Sequence, residues 1–244
     1  MQTPVNVFQS GDDFRTGTVL LVDKPLDWTS FDVVNKLRFA IRKRFGFRKI
    51  KVGHAGTLDP RATGLLIICT GKMTKQINDF MGADKVYTGQ IKLGETTPSY
   101  DSETEVNGTY PVEHISRELV EQAMRQMLGT HDQTPPVFSA KKIDGKKAYE
   151  LARKGVEVQM RKAPVTIHEF EITHFDLPWV EFRAKCSKGT YIRSLAHDLG
   201  LNLNSGAYLT ALRRTASGNF SVDQSESVES LVERIGETPP GELP

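Results

Sequence analysis

Residues 51–70 read KVGHAGTLDPRATGLLIICT, and this stretch decides how the rest of the chain is interpreted. Its second half, Leu65–Thr70, is almost unbroken in apolar character, which predicts a strand buried on both faces. Its first half, Gly53–Gly64, is rich in glycine, threonine and proline and predicts a loop that leads into that strand. Pro60 favours an extended conformation at Asp59 and so directs the carboxylate away from the chain path. Taken alone, such a loop is more often an Asx turn in which the aspartate binds its own backbone.

Strands and helices alternate on both sides of this stretch. Apolar residues at helical spacing predict a helix that is N-capped by Thr29 or Ser30 and runs to about Arg44. A hairpin is predicted where residues 137–143 meet the turn Asp144-Gly145. The other predicted strands are 18–22, 65–70, 86–93, 165–175 and 180–186, and the other predicted helices cover 74–81, 119–128, 147–154, the segment ending at 199, and 227–235. This arrangement predicts the α+β class, with a mixed, mainly antiparallel sheet flanked by helices.

Composition divides the chain into three parts. Residues 1–16 form a polar leader, residues 17–222 form one folded body without an internal repeat or linker, and residues 223–244 form an acidic helix and tail. The last part holds six acids and one base. We therefore predict one catalytic or binding domain with short extensions at both ends.

Positive charge is concentrated in two segments of the body. The chain has 32 bases and 30 acids, and leaving out the tail leaves 31 bases and 24 acids in residues 1–222, a net charge of +7. Residues 36–51 contain eight bases and no acid, and residues 141–162 contain eight bases and three acids. Such clusters suit a polyanionic partner, because each neutralised phosphate releases condensed counterions. Two solvated helix faces would explain the same charge equally well.

Several functional classes lack the motifs that they need. No apolar run approaches the ~18–20 residues of a membrane span, and the N-terminus shows no signal-peptide pattern. No phosphate-binding loop, dinucleotide fingerprint or metal-binding spacing of histidine and cysteine is present. Cys69 and Cys186 lie in apolar runs, which favours two buried thiols over a disulfide. We expect a cytoplasmic protein with no cofactor, no metal and no membrane partner.

Four groups of residues, in order along roughly residues 17–220, resemble the motifs of one enzyme family. The first is the loop of residues 51–64, centred on Asp59. The others are YTGQIKLG at 87–94 leading to Asp101, PPVFSAKK at 135–142 with YELAR at 149–153, and CSKGTYIRSL at 186–195 followed by LRR at 212–214. Together they resemble the TruB-type tRNA pseudouridine synthases. Several long motifs in register leave little room for a chance match.

The resemblance implies the pseudouridine synthase fold, with the active site in a central cleft, and the isomerisation of uridine. In that reaction the N1–C1′ bond breaks, the base turns and C5 bonds to C1′, without net redox change. The family's nucleophile matches Asp59, which attacks either C1′ or C6. The family's arginine matches Arg193, whose charge keeps the carboxylate ionised against desolvation. The family's active-site tyrosine, which stacks on the base, matches Tyr87.

The resemblance also implies residues that bind the substrate. Leu212 matches a residue that closes the pocket on the base, and His54 matches the histidine that enters the tRNA loop when the target base is flipped out. Core packing is the alternative for Tyr87 and Leu212, and a phosphate contact is the alternative for Arg193. Weaker motif positions near the pocket are those of Lys24, Lys75, Tyr191 and Asp101.

The implied activity is the formation of pseudouridine at position 55 in the T loop of tRNA. The expected partner is the T arm, and the expected state is a monomer. Bacterial members of the family commonly carry a small C-terminal RNA-binding domain of PUA-like type, which we expect this short form to lack. Two other functions remain open from the residues: an RNA-binding or RNA-folding module without catalysis, and the same chemistry on another RNA.

Overall fold

The computed structural model describes residues 5–139, 141–143, 146–149 and 160–239. Its helices are α1 (Gly11–Thr16), α2 (Ser30–Phe45), α3 (Ile77–Gly82), α4 (Arg117–Gln126), α5 (Ile192–Asn202) and α6 (Val228–Glu237), with 3-10 turns at Gly71–Gln76 and Val222–Gln224. Its strands are β1 (Val19–Lys24), β2 (Val52–Ala55), β3 (Ala62–Thr70), β4 (Lys85–Leu93), β5 (Glu95–Thr96), β6 (Gly108–Thr109), β7 (Gly129–Gln133), β8 (Lys142–Ile143), β9 (Lys146–Lys147), β10 (Ala163–Asp176), β11 (Trp179–Cys186), β12 (Ala207–Ser217), β13 (Phe220–Ser221) and β14 (Glu226–Ser227).

The chain has the predicted α+β class, with a mixed, mostly antiparallel sheet and flanking helices. It forms two compact units, of which the first contains residues 1–85 and 213–244 and the second contains residues 86–212. The boundary falls within β12, after Leu212.

The sheet of the first unit is built around β3. This strand pairs antiparallel with β1, so that Val19 lies opposite Cys69, and antiparallel with β2, so that Val52 lies opposite Thr70. On its other edge, β1 pairs parallel with β14. Nearly every residue of β3 is buried, as its continuous apolar run predicts.

Helix α2 begins where the sequence predicts. The side chain of Thr29 accepts a hydrogen bond from the backbone N–H of Asp32, and the Asp32 carboxylate accepts one from the backbone N–H of Thr29, which is a capping box. The apolar face of α2 is buried, and the helix contacts α6 near the C-terminal end of the chain. The acidic C-terminal segment therefore contributes to the first unit.

Part of the predicted leader is folded. Residues 11–16 form α1, where Ser10 and Asp13 form a capping box. Phe14 is fully buried, and its ring lies 4.8 Å from that of Phe8 and 5.5 Å from that of Phe45, centroid to centroid. The polar character of this segment concealed a helix that buries one aromatic side chain.

The sheet of the second unit is built on a long antiparallel pair. Strands β10 and β11 pair from Ile167 opposite Cys186 to Asp176 opposite Trp179, and β10 also pairs with β7. The rings of Phe170 and Phe182 meet edge to face in the core. Helix α4 contacts both β10 and α5. The alternation that predicted β11 is confirmed by its burial pattern, whereas in β10 it shifts after Ile167, where the register with β11 is irregular.

Three sequence-based predictions fall wholly or partly outside the described residues. They are the turn at 144–145, the helix at 147–154 and the greater part of the basic segment 141–162. Among the described residues, no helix has the length and apolar character that a membrane crossing requires. Cys69 and Cys186 are both buried thiols, as predicted.

Candidate active site

The loop that carries Asp59 joins β2 to β3 and is fixed through its main chain. The hydroxyl of Ser30, at the start of α2, accepts a hydrogen bond from the N–H of Leu58 (2.8 Å) and donates one to its carbonyl (3.1 Å). The N–H of Ala62 donates to the carbonyl of Asp59 at 3.0 Å. The buried Leu58 side chain anchors the loop further. The main chain at Asp59 is thus held by hydrogen bonds on both sides of it.

Lys24 is completely buried beneath this loop. Its ammonium donates hydrogen bonds to the carbonyl oxygens of Pro25 (2.7 Å) and Trp28 (2.6 Å), and lies 3.5 Å from that of Pro60. Burial lowers the pKa of Lys24 to about 8, and the negative charge of Asp59 is the largest of the charges that oppose this shift. The structure therefore brings two residues predicted for the site, Lys24 and Asp59, into electrostatic contact.

His54 lies half-buried on β2, at the entrance to the same loop. Its Nδ1 atom is buried and has no hydrogen-bond partner among the described residues. Burial and, secondly, the positive charge of Arg214 lower the pKa of His54, so the imidazole is neutral near pH 7. A neutral ring with an unsatisfied nitrogen is suited to contact with a nucleotide base.

The sequence analysis gave no role to Arg214, which the structure places at both ends of the Asp59 loop. This arginine is 2 % exposed. Its Nε donates to the carbonyl of Leu65 at 2.7 Å, and its Nη2 donates to the carbonyl of Gly56 at 3.1 Å. The LRR motif contained the residue, but its partners lie 149 and 158 positions away, so the sequence offered no local signal.

In the second unit, Arg193 and Asp101 form a buried ion pair. Arg193 lies in the first turn of α5, and both residues are 4 % exposed. The Nε of Arg193 lies 3.6 Å from Oδ2 of Asp101, and its Nη1 donates to the carbonyl of Ser99 at 3.2 Å. Oδ1 of Asp101 accepts from the Ser99 hydroxyl at 2.6 Å and from the N–H of Glu103 at 2.9 Å. The turn of residues 97–101 thus holds the guanidinium of Arg193.

A ring stack braces this turn against α5. Tyr100 has φ +61°, an uncommon backbone conformation for a bulky residue. Its ring stacks on that of His197 with centroids 3.9 Å apart and planes 8° apart. Since His197 follows Arg193 by one helical turn, the stack and the ion pair join the same two segments. Sequence reasoning did not identify this pair.

The remaining predicted residues occupy varied positions. Tyr87 is buried on β4, and Leu212 is partly buried on β12. Tyr191 is the N-cap of α5, and the side chain of Gln133 binds both its N–H (2.8 Å) and its carbonyl (3.1 Å). Lys75 is exposed in the 3-10 turn after β3. Asp59, His54, Lys24 and Lys75 belong to the first unit; Tyr87, Asp101, Tyr191, Arg193 and Leu212 belong to the second.

The outer face of α2 is basic, as the charge pattern predicts. Lys36, Arg42, Lys43 and Arg44 are exposed on this helix, and Lys49 and Lys51 are exposed after it. Within the ranges that the structure describes, no group of three or more histidine, cysteine, aspartate or glutamate side chains is arranged to hold a metal ion.

Comparison with known families agrees with the motifs. The family model described as TruB family pseudouridylate synthase (N terminal domain) matches residues 42–192, and that described as tRNA pseudouridylate synthase B C-terminal domain matches residues 193–238. The chain belongs to the TruB family of pseudouridine synthases. It is accordingly an isomerase that acts on uridine in tRNA.

Three similar proteins are named tRNA pseudouridine synthase B. That of Phocaeicola vulgatus is 55 % identical over 91 % of this chain and 94 % of its own length. That of Flavobacterium johnsoniae is 51 % identical over 92 % of this chain and 98 % of its own. That of Chlorobaculum tepidum is 49 % identical over 90 % and 91 %. These proteins have nearly the same extent as this chain.

Two solved structures share the fold. A Cbf5-Nop10-Gar1 complex contains a chain that is 27 % identical, with a TM-score of 0.68 over 95 % of this chain and 60 % of that one. An H/ACA RNP bound to a substrate RNA containing 2′-deoxyuridine contains a chain that is 26 % identical, with a TM-score of 0.65 over 91 % of this chain and 54 % of that one. This chain therefore spans little more than half the length of those neighbours.

Proposed function

We propose that this enzyme forms pseudouridine at position 55 in the T loop of tRNA, with Asp59 as the nucleophile. The observation that carries the proposal is the Asp59 loop, which is fixed by main-chain hydrogen bonds above the buried ammonium of Lys24. A nearby cation favours the ionised form of a carboxylate, and only the ionised form is nucleophilic. If the loop were only an Asx turn with no chemical role, the burial of Lys24 beside Asp59 would have no explanation.

The proposed reaction is a balanced isomerisation. Asp59 attacks C1′ as the base departs, or adds to C6 of the pyrimidine; the residues allow either. The N1–C1′ bond breaks, C5 bonds to C1′, and the bond from Asp59 to C1′ or C6 breaks so that the carboxylate is released. The proton on C5 is removed, and N1 gains a proton. No oxidant, reductant or activated group takes part, so the side chains of the chain itself supply the chemistry.

The residues of the second unit have supporting roles in this proposal. Arg193 supplies positive charge at the reaction centre, and the turn of residues 97–101 orients its guanidinium. Tyr87 stacks on the flipped base and assists removal of the C5 proton. Leu212 closes the pocket on the base, and Tyr191 and Lys75 contact the substrate.

Recognition of the RNA rests on charge and on base flipping. The exposed bases of α2 and the residues after it bind phosphates of the T arm, because such contacts position an RNA without reading its sequence. Extrusion of the target base costs a few kcal/mol, and the neutral ring of His54 offsets part of this cost by occupying the loop. The H/ACA RNP neighbour, which was solved with a substrate RNA, supports an RNA-binding role for the shared fold. We propose that the enzyme acts as a monomer in the cytoplasm.

The nucleophile is tested by Asp59→Asn, which keeps the size of the side chain but removes its charge. We expect no pseudouridine in an unmodified tRNA transcript, while the Kd for tRNA changes by less than about tenfold (~1.4 kcal/mol). The matched control is Asp27→Asn, since Asp27 is an exposed residue of the same region. Turnover near that of the wild type in the Asp59 variant would remove Asp59 from the reaction.

The position is tested by mapping pseudouridine chemically in two transcripts, one with uridine and one with cytidine at position 55. We expect product in the first only. An isolated T-arm hairpin should also be modified, because the proposed contacts are confined to that arm. Modification elsewhere in the cytidine transcript would overturn the assignment of position 55.

A further inference from the structure

Arg214 ties together the two ends of the loop that carries Asp59. One nitrogen of its guanidinium group binds the carbonyl of Gly56, just after β2, and another binds the carbonyl of Leu65, within β3. Both bonds have ordinary hydrogen-bond lengths, at 3.1 and 2.7 Å. The planar, rigid guanidinium fixes the separation of these two carbonyls in a way that a flexible ammonium cannot.

The main chain of Arg214 also defines where the loop enters β3. Gly64 has φ +98°, and a Cβ atom added there would lie 2.3 Å from the carbonyl oxygen of Arg214. The backbones of the two residues therefore meet at a distance that only glycine permits. Gly56, at the other end of the loop, also has a positive φ, of +97°. Each glycine lies against a part of Arg214, one against the side chain and one against the backbone.

Electrostatics alone does not explain this arginine. Burying a charged group is costly, and Arg214 is 2 % exposed. Its charge also acts unfavourably on its basic neighbours, because it lowers the pKa of Lys24 and of His54. Two buried cations, Lys24 and Arg214, thus lie around the loop that carries the Asp59 carboxylate. The two hydrogen bonds to carbonyl oxygens offset part of the cost of burying Arg214.

We propose that Arg214 is a positioning residue, which holds the loop so that the carboxylate of Asp59 is presented to the reacting carbon in a fixed geometry. This inference rests on the proposed function of Asp59 as the nucleophile. In this role Arg214 acts through its hydrogen bonds to the loop rather than on the reacting atoms. Its effect is expected in the chemical step rather than in tRNA binding.

The test compares Arg214→Lys and Arg214→Gln with Arg213→Gln. Arg213 is the adjacent residue on β12, but it is half-exposed and its guanidinium pairs with Asp23 at 2.7 and 3.0 Å. For Arg214→Gln we expect kcat to fall by about 100-fold, the cost of misplacing a catalytic group by roughly 1 Å. KM for tRNA should stay within about threefold, because the position of Asp59 affects the transition state and not the binding of tRNA. Arg213→Gln should leave both constants near those of the wild type.

Arg214→Lys tests the same role if Arg214→Gln does not fold. Arg214→Lys retains the charge, but its ammonium lacks the rigid, planar arrangement of donors with which the guanidinium binds the two carbonyls. We therefore expect a kcat between those of the wild type and Arg214→Gln, with KM unchanged. Thermal unfolding establishes that each variant is folded before its rate is compared. A wild-type kcat in folded Arg214→Lys, or a change confined to KM, would overturn the positioning role.

Asp59→Asn is measured in parallel to separate the two proposals. If Asp59→Asn is inactive and Arg214→Lys is fully active, only the role of Arg214 fails. If Asp59→Asn remains active, the nucleophile assignment fails and the role of Arg214 fails with it. Inactive Asp59→Asn together with slow Arg214→Lys and normal Arg213→Gln supports both.

Discussion

The turns that carry Asp59 and Asp101 are held by different kinds of contact. Around Asp59, main-chain atoms of Leu58, Asp59 and Pro60 make hydrogen bonds that help to fix the loop. Around Asp101, the carboxylate itself accepts hydrogen bonds from the Ser99 hydroxyl and the Glu103 N–H, and it pairs with Arg193. In the second turn, therefore, the aspartate side chain is part of what orders the backbone.

This difference indicates that the two aspartates have different roles. The Asp101 carboxylate accepts two hydrogen bonds and forms an ion pair, and such a group is suited to holding its partners in place. Here the partner that it holds is the guanidinium of Arg193. A loop that is fixed through its backbone keeps its shape when the side chain it carries changes partners during a reaction. The backbone hydrogen bonds around Asp59 suit its proposed role as the reacting group, and the hydrogen bonds to the Asp101 carboxylate suit a role in holding Arg193.

The largest expected effect comes from Arg193→Lys, which tests whether the second turn exists to orient a guanidinium. Lysine keeps the charge but cannot bind the Ser99 carbonyl and Asp101 together, so we expect kcat to fall by about 10³-fold (~4 kcal/mol). The measurement is single-turnover pseudouridine formation. Arg183→Lys is the control, because Arg183 forms an ion pair with Glu169 at the surface. Equal rates for the two variants would remove the special role of Arg193.

The next effect concerns the stability of the first turn and depends on pH. Because Lys24 has a pKa of about 8 when folded and about 10.4 when unfolded, the unfolded chain binds more protons between these values. The free energy of unfolding of the wild type should therefore rise, relative to Lys24→Met, by about 3 kcal/mol between about pH 8 and about pH 10. Below pH 8 the difference between the two proteins should be constant.

Urea unfolding of both proteins across this range measures that difference. Lys75→Met is the control, since Lys75 is exposed and its replacement removes a lysine without changing the buried site. A constant difference between the wild type and Lys24→Met up to pH 10 would show that the ammonium is not desolvated beneath the loop.

A smaller effect is expected from Asp101→Asn. The amide oxygen can replace one acceptor but not the charge that faces Arg193, so we expect kcat to fall by about tenfold (~1.4 kcal/mol). The rate is compared with that of Asp132→Asn, an exposed aspartate on β7. If Asp101→Asn were as damaging as Asp59→Asn, the proposed distinction between the two aspartates would be lost.

The smallest effect is expected from Arg61→Gln. Arg61 pairs with Asp27 at 2.9 Å, but both side chains are well exposed. Exposed ion pairs contribute little, so the free energy of unfolding should change by less than about 0.5 kcal/mol. A larger loss in chemical denaturation would mean that the Asp59 loop depends on its surface ion pair as well as on its buried bonds.

Local patterns predicted much of the fold because the forces behind them are local. Thr29 and Asp32 are three residues apart, so the capping box of α2 could be predicted directly. The alternation in β10 and β11 likewise follows from the pleat of a strand. Helix α1 was missed although Ser10 and Asp13 form a similar box, because its single buried aromatic, Phe14, gave no periodicity. A capping signal beside an isolated phenylalanine would have been sufficient to find it.

The site was predicted in part. The motifs identified Asp59, Asp101 and Arg193, but they did not predict that Arg193 pairs with Asp101. They did not identify Arg214 as an anchor, nor the stack of Tyr100 on His197. These contacts join residues far apart in the chain, and no spacing rule relates them.

The sequence by itself determined the α+β class, the family and the residues that carry its motifs, since periodicity and short motifs are properties of neighbouring residues. Only the tertiary structure decided which charges are buried and what they bind. Lys24 ends a strand before a proline, where a lysine is ordinarily solvated, yet it is completely buried against carbonyl oxygens. Desolvation depends on every segment that surrounds a group, so it is fixed only when distant parts of the chain come together.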